Sequence, residues 1–197
     1  MIKKNPFIGT SVMPDFKIEN YPPDDVASWW LDREDYVLHG PGLSSEVRAN
    51  VIQWLHCEGG YDFMKLVKAN WSGCDDFHDF TEIFRKCFQN HYADKSPDEI
   101  DNWINEEDVT WWKSLPELLT VYRGCESNRW QGLSWTINRS VAKGFARGHR
   151  YRRLNDPVIA AATVNKKDIF FATNDREEEE IVWDATQAKV EIKPAYL

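Results

Sequence analysis

Between about residue 24 and residue 113 the apolar positions recur three and four apart, and from Leu118 onward they alternate or run together. The first rhythm is that of helices and the second that of strands. Asp24 or Asp25 can cap a helix running through Trp30, and Ser44 or Ser45 can cap another with Val47, Val51, Trp54 and Leu55 at helical spacing. Gly59-Gly60 ends that run. A further helical segment covers about 61 to 70, and the strongest apolar stripe lies between Asp75 and Asn90, where Phe77, Phe80, Ile83, Phe84, Cys87 and Phe88 share one side. Ser96-Pro97-Asp98-Glu99 opens one more helix, because proline suits the first helical position.

In the second half, Leu118–Tyr122, Gly132–Thr136, Val158–Val164, Ile169–Ala172 and Glu180–Trp183 read as strands, and Ser140 opens a short helix carrying Val141, Phe145 and Ala146. The expected class is α+β. Residues 1–113 form the helical region, led by a proline-rich extended arm over residues 1–23, and residues 114–197 form the strand-rich core. The helical region either packs on the core as one domain or stands apart.

Composition narrows the class. The chain has 197 residues, of which 42% are hydrophobic and 14% aromatic, with ten Trp, so it can bury an aromatic-rich core without metal or disulfide staples. Its net charge of −8 argues against nucleic-acid binding through the overall field, although Lys143, Arg147, Arg150, Arg152 and Arg153 form a local basic cluster. The N-terminal MIKKNPFIGTSVMPDF has no apolar signal core and no later segment approaches a membrane span, so the expected setting is cytoplasmic with no membrane partner. Cys57, Cys74, Cys87 and Cys125 follow no secreted-domain framework and read as reduced thiols. Cys74 and His78, like Cys87 and His91, stand four apart as zinc ligands can, but their phenylalanine surroundings read as helix core, and no metal is expected.

Three stretches carry candidate chemistry. In Val121-Tyr122-Arg123-Gly124 a strand ends in a cation able to fork onto a phosphate. In Leu133-Ser134-Trp135-Thr136, alternation sends the two hydroxyls to one face and the two apolar side chains to the other. In EEEEIVWD, Glu177 to Asp184, a run of carboxylates enters an apolar strand. If strand geometry starts a residue or two early, Glu178 and Glu180 share a face and can divide the labour of stabilising a cation and taking a proton.

In order and spacing, Val121-Tyr122-Arg123-Gly124, then Gly132–Thr136 with Val141–Ala146 following, then Glu178-Glu179-Glu180-Ile181-Val182 resemble the Arg, Ser-Thr-Ser and Glu-x-Glu signatures of the toxin-like mono-ADP-ribosyltransferases. The resemblance covers about residues 115 to 190. It implies a mixed β-sheet core that takes NAD as a substrate and needs no metal. Arg123 then grips a phosphate or ribose of NAD, with Tyr122, Gly124, Ser134, Thr136 and Phe145 also on the dinucleotide and Tyr122 and Phe145 against nicotinamide. Ser134 orients Glu180, which bonds the nicotinamide ribose and stabilises its oxocarbenium ion, while Glu178 addresses the acceptor, as in arginine-modifying members. The chain departs from the pattern at Trp135, where Thr is usual, and at Thr136, where a second Ser is usual.

The resemblance further implies transfer of ADP-ribose to a macromolecular acceptor, a protein side chain ahead of RNA or DNA, in the manner of a bacterial or phage effector or toxin. The basic cluster is what a nucleic-acid acceptor would use. Hydrolysis of NAD by the same site and a catalytically inactive binding module are the alternatives, the second opposed by the presence of Arg123, Ser134 and Glu180 together. The helical half is the candidate surface for a target, antitoxin or chaperone. Trp29-Trp30 and Trp111-Trp112 would mark such a surface if exposed.

Overall fold

The computed structural model describes residues 23–24, 45–74, 81–93, 104–148 and 154–196. The proline-rich arm up to residue 22, Asp25, Trp29-Trp30, Ser44, the Ser45 side chain, Phe77, His78, Phe80, the helix expected at Ser96-Pro97, and Arg150, Arg152 and Arg153 lie outside the described residues. The chain divides into two compact units, Met1–Cys87 and Phe88–Leu197.

In the first unit, α1 (Ser45–Cys57) buries Ala49, Val51, Ile52 and Leu55, positions that return to one side every three or four residues. It ends at Gly59-Gly60, where Gly60 takes the left-handed φ of 68° that glycine adopts without penalty. Asp62 then caps α2 (Phe63–Asn70) by accepting from the Lys65 amide at 2.9 Å. The inner side of α2 buries Phe63, Met64, Leu66 and Val67. Phe63 meets the Phe84 ring edge-on at 5.5 Å.

The division falls inside α3 (Thr81–Tyr92). Its last turns belong to the sheet unit because Phe88 is fully buried and stacks flat on Phe170 at 5.1 Å, with the Tyr92 ring 5.3 Å from the same partner. Burial drives the Tyr92 phenol far above its ordinary pKa.

The second unit is built on six strands: β1 (Leu118–Glu126), β2 (Ser134–Thr136), β3 (Pro157–Asn165), β4 (Phe171–Thr173), β5 (Glu180–Val182) and β6 (Glu191–Pro194). They form one sheet in the order β4-β5-β2-β1-β3-β6. The class is α+β, and every pairing in the sheet is antiparallel where a mixed sheet was expected. β1 also runs on past Arg123 and Gly124, so those two residues sit within a strand rather than at its end.

One face of the sheet carries the core. Leu119, Val121, Trp135, Ala160, Ala162, Val164, Ala172 and Ile181 are all buried on it, joined by Ile104, Ile169, Trp183 and Trp112. Trp112 comes from α4 (Val109–Ser114), which ends on Lys166, whose ammonium donates to the carbonyls of Trp112 (2.7 Å) and Leu115 (3.3 Å). Trp111 packs against the same cluster, so this tryptophan pair serves the core and not a surface. The other face receives α5 (Arg139–Ala146), capped by Asn138, which accepts from the Ser140 amide at 3.0 Å, so that the first helical residue is one before the expected start at Ser140.

Candidate active site

Antiparallel register places directly opposed residues on the same face. One line of such residues crosses the sheet from edge to edge: Thr173, Glu180, Thr136, Tyr122, Ala161 and Glu191. One strand in from the β4 edge stands Glu180, buried to 8% exposure at the first position of β5, between Thr136 and Thr173. Ser134, half-buried, is opposed to Val182 and so lies diagonal to Glu180 on that face, a separation that a long side chain spans. Trp135 turns the other way into the core, 1% exposed, edge-on to Trp183 at 5.5 Å, with its indole nitrogen donating to the Gly132 carbonyl.

Glu178 does not share this geometry. The strand begins at Glu180, and the preceding residues leave the extended region altogether: Arg176, Glu177 and Glu179 have φ of 61°, 57° and 47°. Alternation therefore does not reach back to Glu178, whose carboxylate pairs with Arg176 at 3.4 Å. Left-handed backbone costs a non-glycine residue about 1–2 kcal/mol, so three in four positions must be held from outside.

The holding groups are identifiable. The Thr136 hydroxyl donates to the Glu178 carbonyl at 2.7 Å and accepts from the Asn138 amide at 2.9 Å, so it is committed to the protein's own backbone. The Ile137 amide donates to the Glu179 carbonyl, and the Asn174 side-chain oxygen accepts from the Glu179 amide. On the far side Asp108, 6% exposed, accepts from both the Thr173 hydroxyl and the Asn174 amide at 3.0 Å. Asp108 is absent from the candidates read from sequence, because a lone acid 65 residues from its partner leaves no local pattern.

Arg123 lies on the opposite face from Glu180, in step with Val121 and Cys125. Its guanidinium donates to the backbone carbonyls of Arg129 (3.2 Å) and Ser134, and it approaches so closely that a side chain at Gly132 would meet it at 2.3 Å. Arg123 thus clamps the connection that delivers Ser134 to β2. It also hydrogen-bonds the Cys125 thiol, whose pKa burial nonetheless raises.

Tyr122 is half-buried beside Thr136, and Phe145 is half-buried on α5. Gly124 makes room for α5: a Cβ there would lie 1.8 Å from the Ala142 carbonyl oxygen. Of the basic cluster, Lys143 and Arg147 are described, and both are exposed.

Cys57, Cys74, Cys87 and Cys125 form no disulfide. Cys87 is half-buried, with its pKa pushed up to about 11 by burial first and the neighbouring Cys57 second. Among the described residues no three His, Cys, Asp or Glu side chains gather as a metal site, and no helix is long and apolar enough to cross a membrane. Comparison with family models, with curated proteins and with solved structures finds no match to this chain.

Proposed function

We propose that the protein is a mono-ADP-ribosyltransferase that moves ADP-ribose from NAD to a macromolecular acceptor, a protein side chain ahead of a nucleic acid, as bacterial and phage effectors do. The observation that carries this reading is the adjacency of β1, β2 and β5, which sets the three motifs side by side although they are far apart in sequence. Glu180 and Ser134 then face one way, with Tyr122 alongside.

The chemistry suits a buried carboxylate. As the bond from ribose C1′ to the nicotinamide nitrogen breaks, its electron pair leaves with nicotinamide and the ribose becomes cationic. Glu180, withdrawn from solvent, stabilises that charge more effectively than an exposed acid does. The acceptor nucleophile then attacks C1′ and gives up its proton, for which Glu178 is the nearest candidate in sequence, once released from Arg176. Arg123 contributes by holding the connection that delivers Ser134.

The test is incubation of wild type and Glu180→Gln with NAD labelled in the adenylate and a bacterial lysate. Label on macromolecules that disappears with protease, and is missing with Glu180→Gln, supports the reading. Label removed by nuclease moves the acceptor to nucleic acid. Release of nicotinamide without any labelled acceptor makes the activity hydrolytic.

A further inference from the structure

We propose that Asp108 is a positioning residue for this site, fixing the left-handed loop ahead of β5 and through it the directions of Glu178 and Glu180. Its effect on catalysis rests on the NAD-cleaving reading above; its hold on the loop does not.

The connections form a closed chain. Asp108 accepts from the Thr173 hydroxyl and from the Asn174 amide. The Thr173 hydroxyl in turn accepts from the Asp175 amide at 3.1 Å, and the Asn174 side chain accepts from the Glu179 amide at 3.2 Å. Both ends of the loop are therefore tied to one buried carboxylate. Thr173 is also the residue directly opposed to Glu180 across the β4–β5 pair, so its side chain and that of Glu180 share a face. Asp108 enters from the short 3-10 turn Glu106–Asp108 before α4, whose Trp112 is anchored in the core. A rigid element thus supports a stretch whose backbone has no preference for the conformation it holds. The sequence also opposes that conformation through the mutual repulsion of Asp175, Glu177, Glu178 and Glu179.

The experiment compares wild type with Asp108→Asn, Thr173→Val and Thr173→Ser by limited trypsin digestion, reading cleavage after Arg176 against cleavage after Lys189, both exposed. Loss of the charged acceptor is expected to raise cleavage at Arg176 about tenfold or more while Lys189 is unaffected. Thr173→Val shows a smaller rise, and Thr173→Ser, which keeps the hydroxyl, matches wild type. In parallel, kcat for NAD cleavage falls about ten- to a hundredfold in Asp108→Asn while KM for NAD holds, as misdirection of a catalytic group predicts. Unchanged cleavage at Arg176 in both Asp108→Asn and Thr173→Val overturns the proposal, and so does faster cleavage with kcat unaffected. Should Asp108→Asn fail to fold, Thr173→Val decides. If wild type itself cleaves no NAD, the catalytic reading falls, and the ratio of cleavage at Arg176 to Lys189 alone judges the role of Asp108.

Discussion

Gly124→Ala places a single methyl group where the structure leaves no space. The added Cβ would stand 1.8 Å from the Ala142 carbonyl oxygen and 2.7 Å from the Ala146 amide nitrogen, both backbone atoms that no rotamer change can move. Reaching even a tight contact of 3.0 Å requires α5 and β1 to part by about 1.2 Å, against an interior packed as densely as an organic crystal. Ala142 and Ala146, both fully buried, would lift off the sheet with the helix. Overpacking ordinarily costs about 1–3 kcal/mol, and a backbone collision belongs at the top of that range or beyond it. A loss of about 3 kcal/mol is a large part of the 5–15 kcal/mol that a domain usually has.

Urea denaturation followed by tryptophan fluorescence and far-UV circular dichroism measures the effect. Gly144→Ala in the same helix is the control, since nothing lies within 4 Å of its added Cβ, and it should stabilise by about 0.5–1 kcal/mol through helix propensity. A loss below about 1 kcal/mol for Gly124→Ala, with an unchanged slope, would refute the close approach of α5 to β1.

Two further outcomes concern one residue of each unit. Arg123→Lys replaces a fork by a point charge that can satisfy only part of the pair of carbonyls at Arg129 and Ser134; it should cost about 1–2 kcal/mol in denaturation and depress NAD cleavage, and full stability would contradict the clamp. The Cys87 thiol, raised from 9.0 to about 11, stays protonated in the folded chain where the unfolded chain ionises. The folded state then holds more protons between those values, so stability should fall as pH rises from 9 to 11, less steeply in Cys87→Ala, and equal slopes would remove the assignment.

Much of this architecture is written locally. The periodicity of Val51, Leu55, Phe84 and Phe88 marks helices, and the alternation of Ser134, Trp135 and Thr136 marks a two-sided strand. β6 is not legible because Glu191, Ile192, Lys193 and Pro194 are all exposed at an edge and carry no buried alternate position. The extension of β1 is hidden by Gly124, which reads as a break in sequence but is an approach point for a helix. The expected sharing of a face by Glu178 and Glu180 fails because the left-handed Glu179 stands between them and β5 begins only at Glu180, and nothing in an acidic run announces that turn. Asp108 and Thr173 meet only through tertiary structure, and the carbonyl partners of Arg123 at Arg129 and Ser134 are likewise set by the fold and leave no local pattern.

The proposed reaction depends on Glu180. Nicotinamide release from NAD, measured for wild type and Glu180→Gln with NAD affinity followed by calorimetry, tests it most directly. The expected result is turnover by wild type, a loss of about a hundred- to a thousandfold in Glu180→Gln, and nearly unchanged NAD binding. Equal turnover by the two proteins, or none by wild type, would contradict it.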